Sequence, residues 1–189
     1  MKNLIFILLF FSNVTFSGED PLKSDLDIDG VVVKPIPIIS EELKKCSCSK
    51  KWLDKARSAD LISMFNLARC FGVNDHKSDF CESNPTVYAD WMGAAATRGF
   101  APAQYAYGTA WFYGAGVKKT NKSLAIRWWA QAASLGLAVA YYSLGDIYEN
   151  GIERKKDLSK ALLLFKEAEK LGHKQSSERI KKIESIKNK

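Results

Sequence analysis

Ala101-Pro102-Ala103-Gln104-Tyr105-Ala106-Tyr107-Gly108 returns as Ala138-Val139-Ala140-Tyr141-Tyr142-Ser143-Leu144-Gly145, and each copy leads to an aromatic residue, Trp111 or Tyr148, and then to Gly114 or Gly151. Ahead of the two copies stand Trp91-Met92-Gly93-Ala94-Ala95-Ala96-Thr97-Arg98-Gly99 and Trp128-Trp129-Ala130-Gln131-Ala132-Ala133-Ser134-Leu135-Gly136, and a third version, Leu164 to Gly172, follows. Their terminal glycines fall 37 and then 36 residues apart. A fixed period of this size predicts stacked supersecondary units, each burying its apolar side against the next.

Each unit reads as two helices. Apolar and small residues recur three and four apart, as in Tyr107, Ala110 and Trp111 of a first helix or Ala125, Trp128, Trp129, Ala132 and Ala133 of a second. Gly108, Gly145 and Ala68 sit beside the stripe where two helix backbones must approach. Gly99, Gly136 and Gly172 are expected to end the second helices as left-handed caps. The phase reaches upstream, where Trp52, Ala56, Ala59, Phe65, Leu67, Ala68 and Phe71 keep the register of Trp129, Ala133, Gly136, Tyr142, Leu144, Gly145 and Tyr148. A lone second helix at about residues 41–58 therefore opens the array, and the first full unit carries a loop insertion that contains Cys81. Downstream, Ile180, Ile183 and Ile186 recur every three residues in a polar, Lys-rich stretch, the pattern of a capping helix.

The strings Ala-x-Ala-Gln-Tyr-x-x-Gly at 101–108, Gly-Ala-Gly-Val at 114–117 and Ala125 through Gly136 resemble the Sel1-like repeat, a relative of the tetratricopeptide repeat. The resemblance covers about residues 50–175 and is strongest over 101–136. Tyr107 stands where the family usually has Leu, and Gly151-Ile152-Glu153-Arg154 lacks the second loop glycine. It implies an all-α, right-handed α-solenoid of about three and a half helix-turn-helix repeats whose first helices line a concave, protein-binding side.

Composition sets the outer limits. The 189 residues are 47% hydrophobic and 26% charged, enough apolar material for a core and too much for a disordered chain. Twenty-eight Lys and Arg against 21 Asp and Glu give a formal charge of +7, below the basic density of a dedicated nucleic-acid binder. Of this, the run from Glu153 to Lys189 holds 12 cations against 6 acids. That run is read as a solvated cap, with attraction of an acidic protein or anionic lipid as the alternative. Lys2, the apolar run Leu4 to Phe11 and the small residues Thr15 and Ser17 read as a signal peptide cut after Ser17. An uncleaved anchor is the other reading. The chain thus divides into a signal peptide at 1–17, an extended segment at 18–40, the repeat solenoid at 41–175 and a basic capping helix and tail at 176–189. The expected compartment is the periplasm.

Export makes disulfides the natural reading of the four cysteines. Of three connectivities, Cys70 with Cys81 is expected because it closes a short loop, leaving Cys46 and Cys48 as a strained pair or two free thiols. His76 is the only histidine near them, so no metal site is expected.

Catalytic constellations are missing: there is no G-x-S-x-G, H-E-x-x-H or phosphate-binding loop, and His76 and His173 are the only histidines. His173, beside a helix C-terminus, reads as exposed. No enzyme and no cofactor are expected. Most aromatics fall on repeat positions and read as core, whereas Phe112, Tyr113 and Tyr141 do not, and together with the repeat-variable Arg69, Thr109, Asp146 and Glu149 they are the candidate partner-binding residues. The functional expectation is a non-enzymatic module that binds one partner protein. Because exported proteins resembling this repeat include immunity proteins that neutralise secreted antibacterial effectors, the resemblance further implies a toxin or type VI-like effector as partner. An envelope adaptor is the alternative, and a β-lactam-binding, cysteine-rich relative a weaker one.

Overall fold

The computed structural model describes residues 34–37, 47–72 and 81–187. Within them the chain forms eight helices and no strand: α1 Ser47–Arg57, α2 Leu61–Arg69, α3 Pro85–Ala96, α4 Ala101–Tyr113, α5 Lys122–Ser134, α6 Ala138–Asn150, α7 Leu158–Lys170 and α8 Ser176–Lys187. Each helix packs on the one before and the one after it. The result is an all-α solenoid: α2–α3, α4–α5 and α6–α7 are the units, α1 is a lone second helix and α8 a lone first helix. The proposed signal peptide lies outside the described residues.

The helix boundaries repeat because their caps repeat. Asn84, Asn121 and Asp157, spaced 37 and 36 residues, accept the backbone N–H of Val87, Leu124 and Lys160 through their side chains and so start α3, α5 and α7. Gly99, Gly136 and Gly172 end the same helices with φ of 88°, 85° and 90°. At each, the glycine N–H and the next N–H donate back into the last turn, to Ala96 and Ala95, to Ala133 and Ala132, and to Glu169 and Ala168. These bonds satisfy carbonyls the helix end would leave bare. Ala59 takes the corresponding place after α1 with φ of 62°, and Ser58 to Asp60 make the matching return bonds. Glu153, in the position of the missing second loop glycine, likewise has φ of 56°. Both are L residues held in a conformation that glycine adopts more readily.

Within a unit the small residues allow close contact. A Cβ at Gly108 would come within 2.8 Å of the Trp129 ring and 3.0 Å of the Ala125 carbonyl, and one at Gly145 within 2.6 Å of Phe165. Two apolar clusters run along the stack. One joins α1 to α5 through Leu53, Met64, Leu67, Trp91, Met92, Tyr107 and Trp128, and the other joins α5 to α8 through Ile126, Trp129, Leu144, Phe165, Ile180 and Ile183. Burial of this order, not local helix propensity, holds such short helices together.

The disulfide corrects the expected connectivity. Cys48 bonds to Cys70, so neither Cys70–Cys81 nor Cys46–Cys48 forms. The reason is the hairpin: Cys48 and Cys70 each lie 11 residues from Ala59 at the turn, and antiparallel helices bring residues equidistant from their turn side by side. Cys81 does return to α2, donating its backbone N–H to the Cys70 carbonyl at 3.1 Å, but it too is disulfide-bonded and its partner is not Cys70. Cys46 lies outside the described residues, as do residues 73–80. Replacing Cys48 and Cys70 together by Ser is expected to destabilise the protein by about 3 kcal/mol, because the open unfolded chain regains the entropy the bridge removed. Urea unfolding of oxidised wild type and variant measures it.

Lys34–Pro37 lies against α3 and the turn that follows it. The Lys34 backbone N–H donates to Thr97 Oγ1 at 3.1 Å, Arg98 donates to the Lys34 carbonyl at 2.8 Å, and Lys34 Nζ reaches Asp90 at 3.1 Å and lies 5.3 Å from the centre of the Tyr107 ring. Ile36 packs on the first apolar cluster. The remainder of the 18–40 segment lies outside the described residues.

Candidate functional site

The first helices α2, α4 and α6 carry all seven candidate residues, and α8 follows them as the fourth helix of that layer. Tyr105 on α4 links to Ser143 on α6 at 3.3 Å between hydroxyls, and Arg179 on α8 reaches back to α6, so the layer is continuous. Repeat register puts Arg69, Thr109 and Asp146 in one column and Phe112 and Glu149 in another.

The structure separates these candidates. Arg69 is exposed. Thr109 is half-buried and its hydroxyl donates to the Tyr105 carbonyl at 3.0 Å, inside its own helix. Phe112 is half-buried and stacks on Trp129 at 5.1 Å between ring centres. Tyr113 closes α4 with 73% of its surface exposed, packed edge-on against Phe112 at 5.0 Å. Trp129 is fixed by donating its indole N–H to the Tyr105 carbonyl at 3.2 Å. Phe112 and Trp129 therefore hold an exposed phenol on a rigid base.

Tyr141 and Glu149 are only 6% exposed, which corrects their assignment to the open surface. Tyr141 belongs to the second apolar cluster. Glu149 is covered because α8 brings two cations to it: Arg179 Nε donates to its carboxylate at 2.9 Å and Lys182 Nζ lies at 3.2 Å. Arg179 Nη2 also reaches Asp146 at 2.6 Å. Burial pushes the Asp146 carboxyl above its ordinary range, against the pull of the Arg179 guanidinium. A buried carboxylate survives here because it is paired and hydrogen-bonded. His173 is not free either: its ring lies 4.3 Å from Tyr142 and its Nδ1 is 3.1 Å from the Ser176 hydroxyl.

A second surface includes the start of the basic run from Glu153, which the sequence offers as a solvated cap or an attractor of acidic partners, and adds the α4–α5 loop to it. The α6–α7 loop and the start of α7 border a shallow, open hollow of about 580 Å³ lined by Tyr148, Arg154, Lys155, Lys156, Leu158 and Lys160, with Asp157 as its acid. The α4–α5 loop forms a smaller one of about 400 Å³ containing Lys119 and Lys122. Its signal was present: the pairs Lys118-Lys119 and Lys155-Lys156 stand 37 residues apart, in phase with the repeat. Among the described residues, no group of three or more His, Cys, Asp or Glu is placed to hold a metal ion, and no helix is long and apolar enough to cross a membrane.

Residues 101–137 and 138–173 match the Sel1 repeat model. The chain carries two Sel1 repeats. These are the α4–α5 and α6–α7 units, each running from the first helix to the glycine cap and one residue beyond. The structure resembles that of a Sel1 repeat protein from Oxalobacter formigenes, at 29% identity over 70% of this chain and 96% of the other, with a TM-score of 0.61. It also resembles a protective antigen present in uropathogenic Escherichia coli strains that displays an SLR fold, at 24% identity over 72% of this chain, with a TM-score of 0.64. That likeness concerns the fold, and the matched part is 28% of the Escherichia coli chain. No curated protein matches the sequence. Sel1 repeats mediate protein–protein interaction, and the layered first helices are the surface such an array offers a partner.

Proposed function

We propose that the chain is a non-enzymatic, exported module that binds one partner protein through the first-helix layer, with Tyr113 as its anchor. The observation that carries the reading is the stack Tyr113–Phe112–Trp129, in which an exposed aromatic is held by a half-buried and a buried one. Such a side chain loses little conformational freedom on binding and presents a large amphipathic contact area. Export is supported by the apolar N-terminal run and by the Cys48–Cys70 bridge, since disulfides persist in oxidising compartments such as the periplasm. Within this class we favour an immunity protein that neutralises a secreted antibacterial effector, an assignment that rests on the family resemblance.

The test is capture of the partner from envelope extracts by the full exported chain, followed by titration of the purified pair. Tyr113→Ala is expected to weaken binding about tenfold with the fold intact, the effect of losing one anchoring aromatic. Equal affinity of variant and wild type removes the anchor. Survival of cells lacking the protein when they meet that partner removes the immunity assignment.

A further inference from the structure

The loop edge adjoins the first-helix layer, Lys122 Nζ lying 5.4 Å from the centre of the Phe112 ring, and among the described residues its charge is one-sided. Lys119 and Lys122 line one hollow and Arg154, Lys155, Lys156 and Lys160 the next, and the hollows adjoin because Glu153 lines the first while Arg154 lines the second. The two acids present are turned to internal tasks. Asp157 accepts the backbone N–H of Lys160 at 2.9 Å as the cap of α7, and Glu153 accepts from the Ser123 hydroxyl at 3.4 Å. Lys119, Lys155 and Lys156 are exposed and make no ion pair with a described residue. At the floor of the larger hollow Lys160 Nζ lies 4.2 Å and Arg154 5.9 Å from the Tyr148 ring, so a buried aromatic gathers two of the cations.

We propose that this loop edge docks a stretch of the partner polypeptide rich in Asp and Glu, a deepening that rests on the reading of the array as a protein-binding module. Two features select an acidic peptide. Among the described residues the exposed Lys119, Lys155 and Lys156 around the paired hollows make no ion pair, while both acids there are already engaged. Finally, the strongly exposed large apolar side chains, Ile62, Tyr113, Leu135, Leu163, Leu171 and Ile186, line neither hollow, so the apolar insertion that seats a protein on a membrane is missing there. Complementary charge of this kind steers encounter and sets register, and salt weakens it because the groups are exposed.

The experiment uses the oxidised full chain and a short fluorescein-labelled peptide of Glu and Gly, read by anisotropy at low salt and at about 0.15 M salt. Binding is expected, weaker at the higher salt, and reduced about tenfold in Lys155→Glu/Lys156→Glu. The pair Lys174→Glu/Lys181→Glu, which changes net charge equally at exposed positions outside both hollows, is expected to retain it. Matching urea midpoints certify that all variants are folded. Equal loss in both variant pairs, no binding by wild type, or binding of phosphatidylglycerol vesicles without binding of the peptide overturns the proposal. If the captured partner still binds Lys155→Glu/Lys156→Glu with wild-type affinity and still depends on Tyr113, the loop-edge proposal fails while the protein-binding reading stands.

Discussion

Phe165→Ala is expected to destabilise the protein by about 4 kcal/mol, in the middle of the range for emptying a core of one aromatic ring. Phe165 is fully buried at the centre of the second cluster. Gly145 leaves the space into which its ring fits, Tyr142 packs against it at 5.3 Å between ring centres, and the Arg179 guanidinium lies 5.4 Å above it. The ring is thus a joint for three helices, α6, α7 and α8. Urea unfolding is expected to show a lowered midpoint with the denaturant slope unchanged, the signature of lost stability without altered compactness.

Arg179→Ala is expected to cost about 3 kcal/mol, because truncating one member of a buried pair strands the other. Glu149 is the stranded group: its side chain is 8% exposed, and Lys182, 60% exposed, then remains as its single cation. The sign follows from where the charge sits. Water cannot solvate the carboxylate in place, so α8 must loosen to admit it. Glu149→Gln in the Arg179→Ala background is therefore expected to recover part of the loss, whereas the same recovery would be absent if Arg179 acted only through its packing on Phe165. Because Arg179 touches both Phe165 and Glu149, the combined Phe165→Ala/Arg179→Ala loss is expected to be smaller than the sum of the two, a coupling that a double-mutant cycle reads directly. Removal of the α8 lock also uncovers Tyr142 and Asp146 in the first-helix layer, so the same variant links stability to the proposed binding face.

The repeats were legible because local chemistry recurs in them. A glycine at a helix end, a small residue beside a bulky ring and an Asx cap are each required by contacts a few residues away, so each returns with the period. Ala59 shows how far this reaches: it keeps the place of Gly136 in the register and adopts the same positive φ although its side chain disfavours it. The candidate face was less legible. Tyr141 looked irregular because its counterpart one repeat earlier is Gln104, a polar residue, yet both positions are buried, at 6% and 5% exposure. Glu149 looked exposed because it is charged and its counterpart is Phe112. Its cover comes from Arg179 and Lys182, 30 and 33 residues further on, and no pattern within a repeat announces a partner at that distance.

Sequence by itself determined the helical hairpins, their boundaries and the order in which they stack, since these follow from contacts made within one period of the chain. Only the tertiary structure decided which of the first-helix residues remain open to a partner, which cysteine meets Cys70, and that two lysine-bearing loops adjoin as a single charged edge. Those outcomes depend on neighbours brought together by the hairpin and by the stacking of successive units, and side-chain burial and charge pairing are properties of such neighbours, not of the residue types themselves.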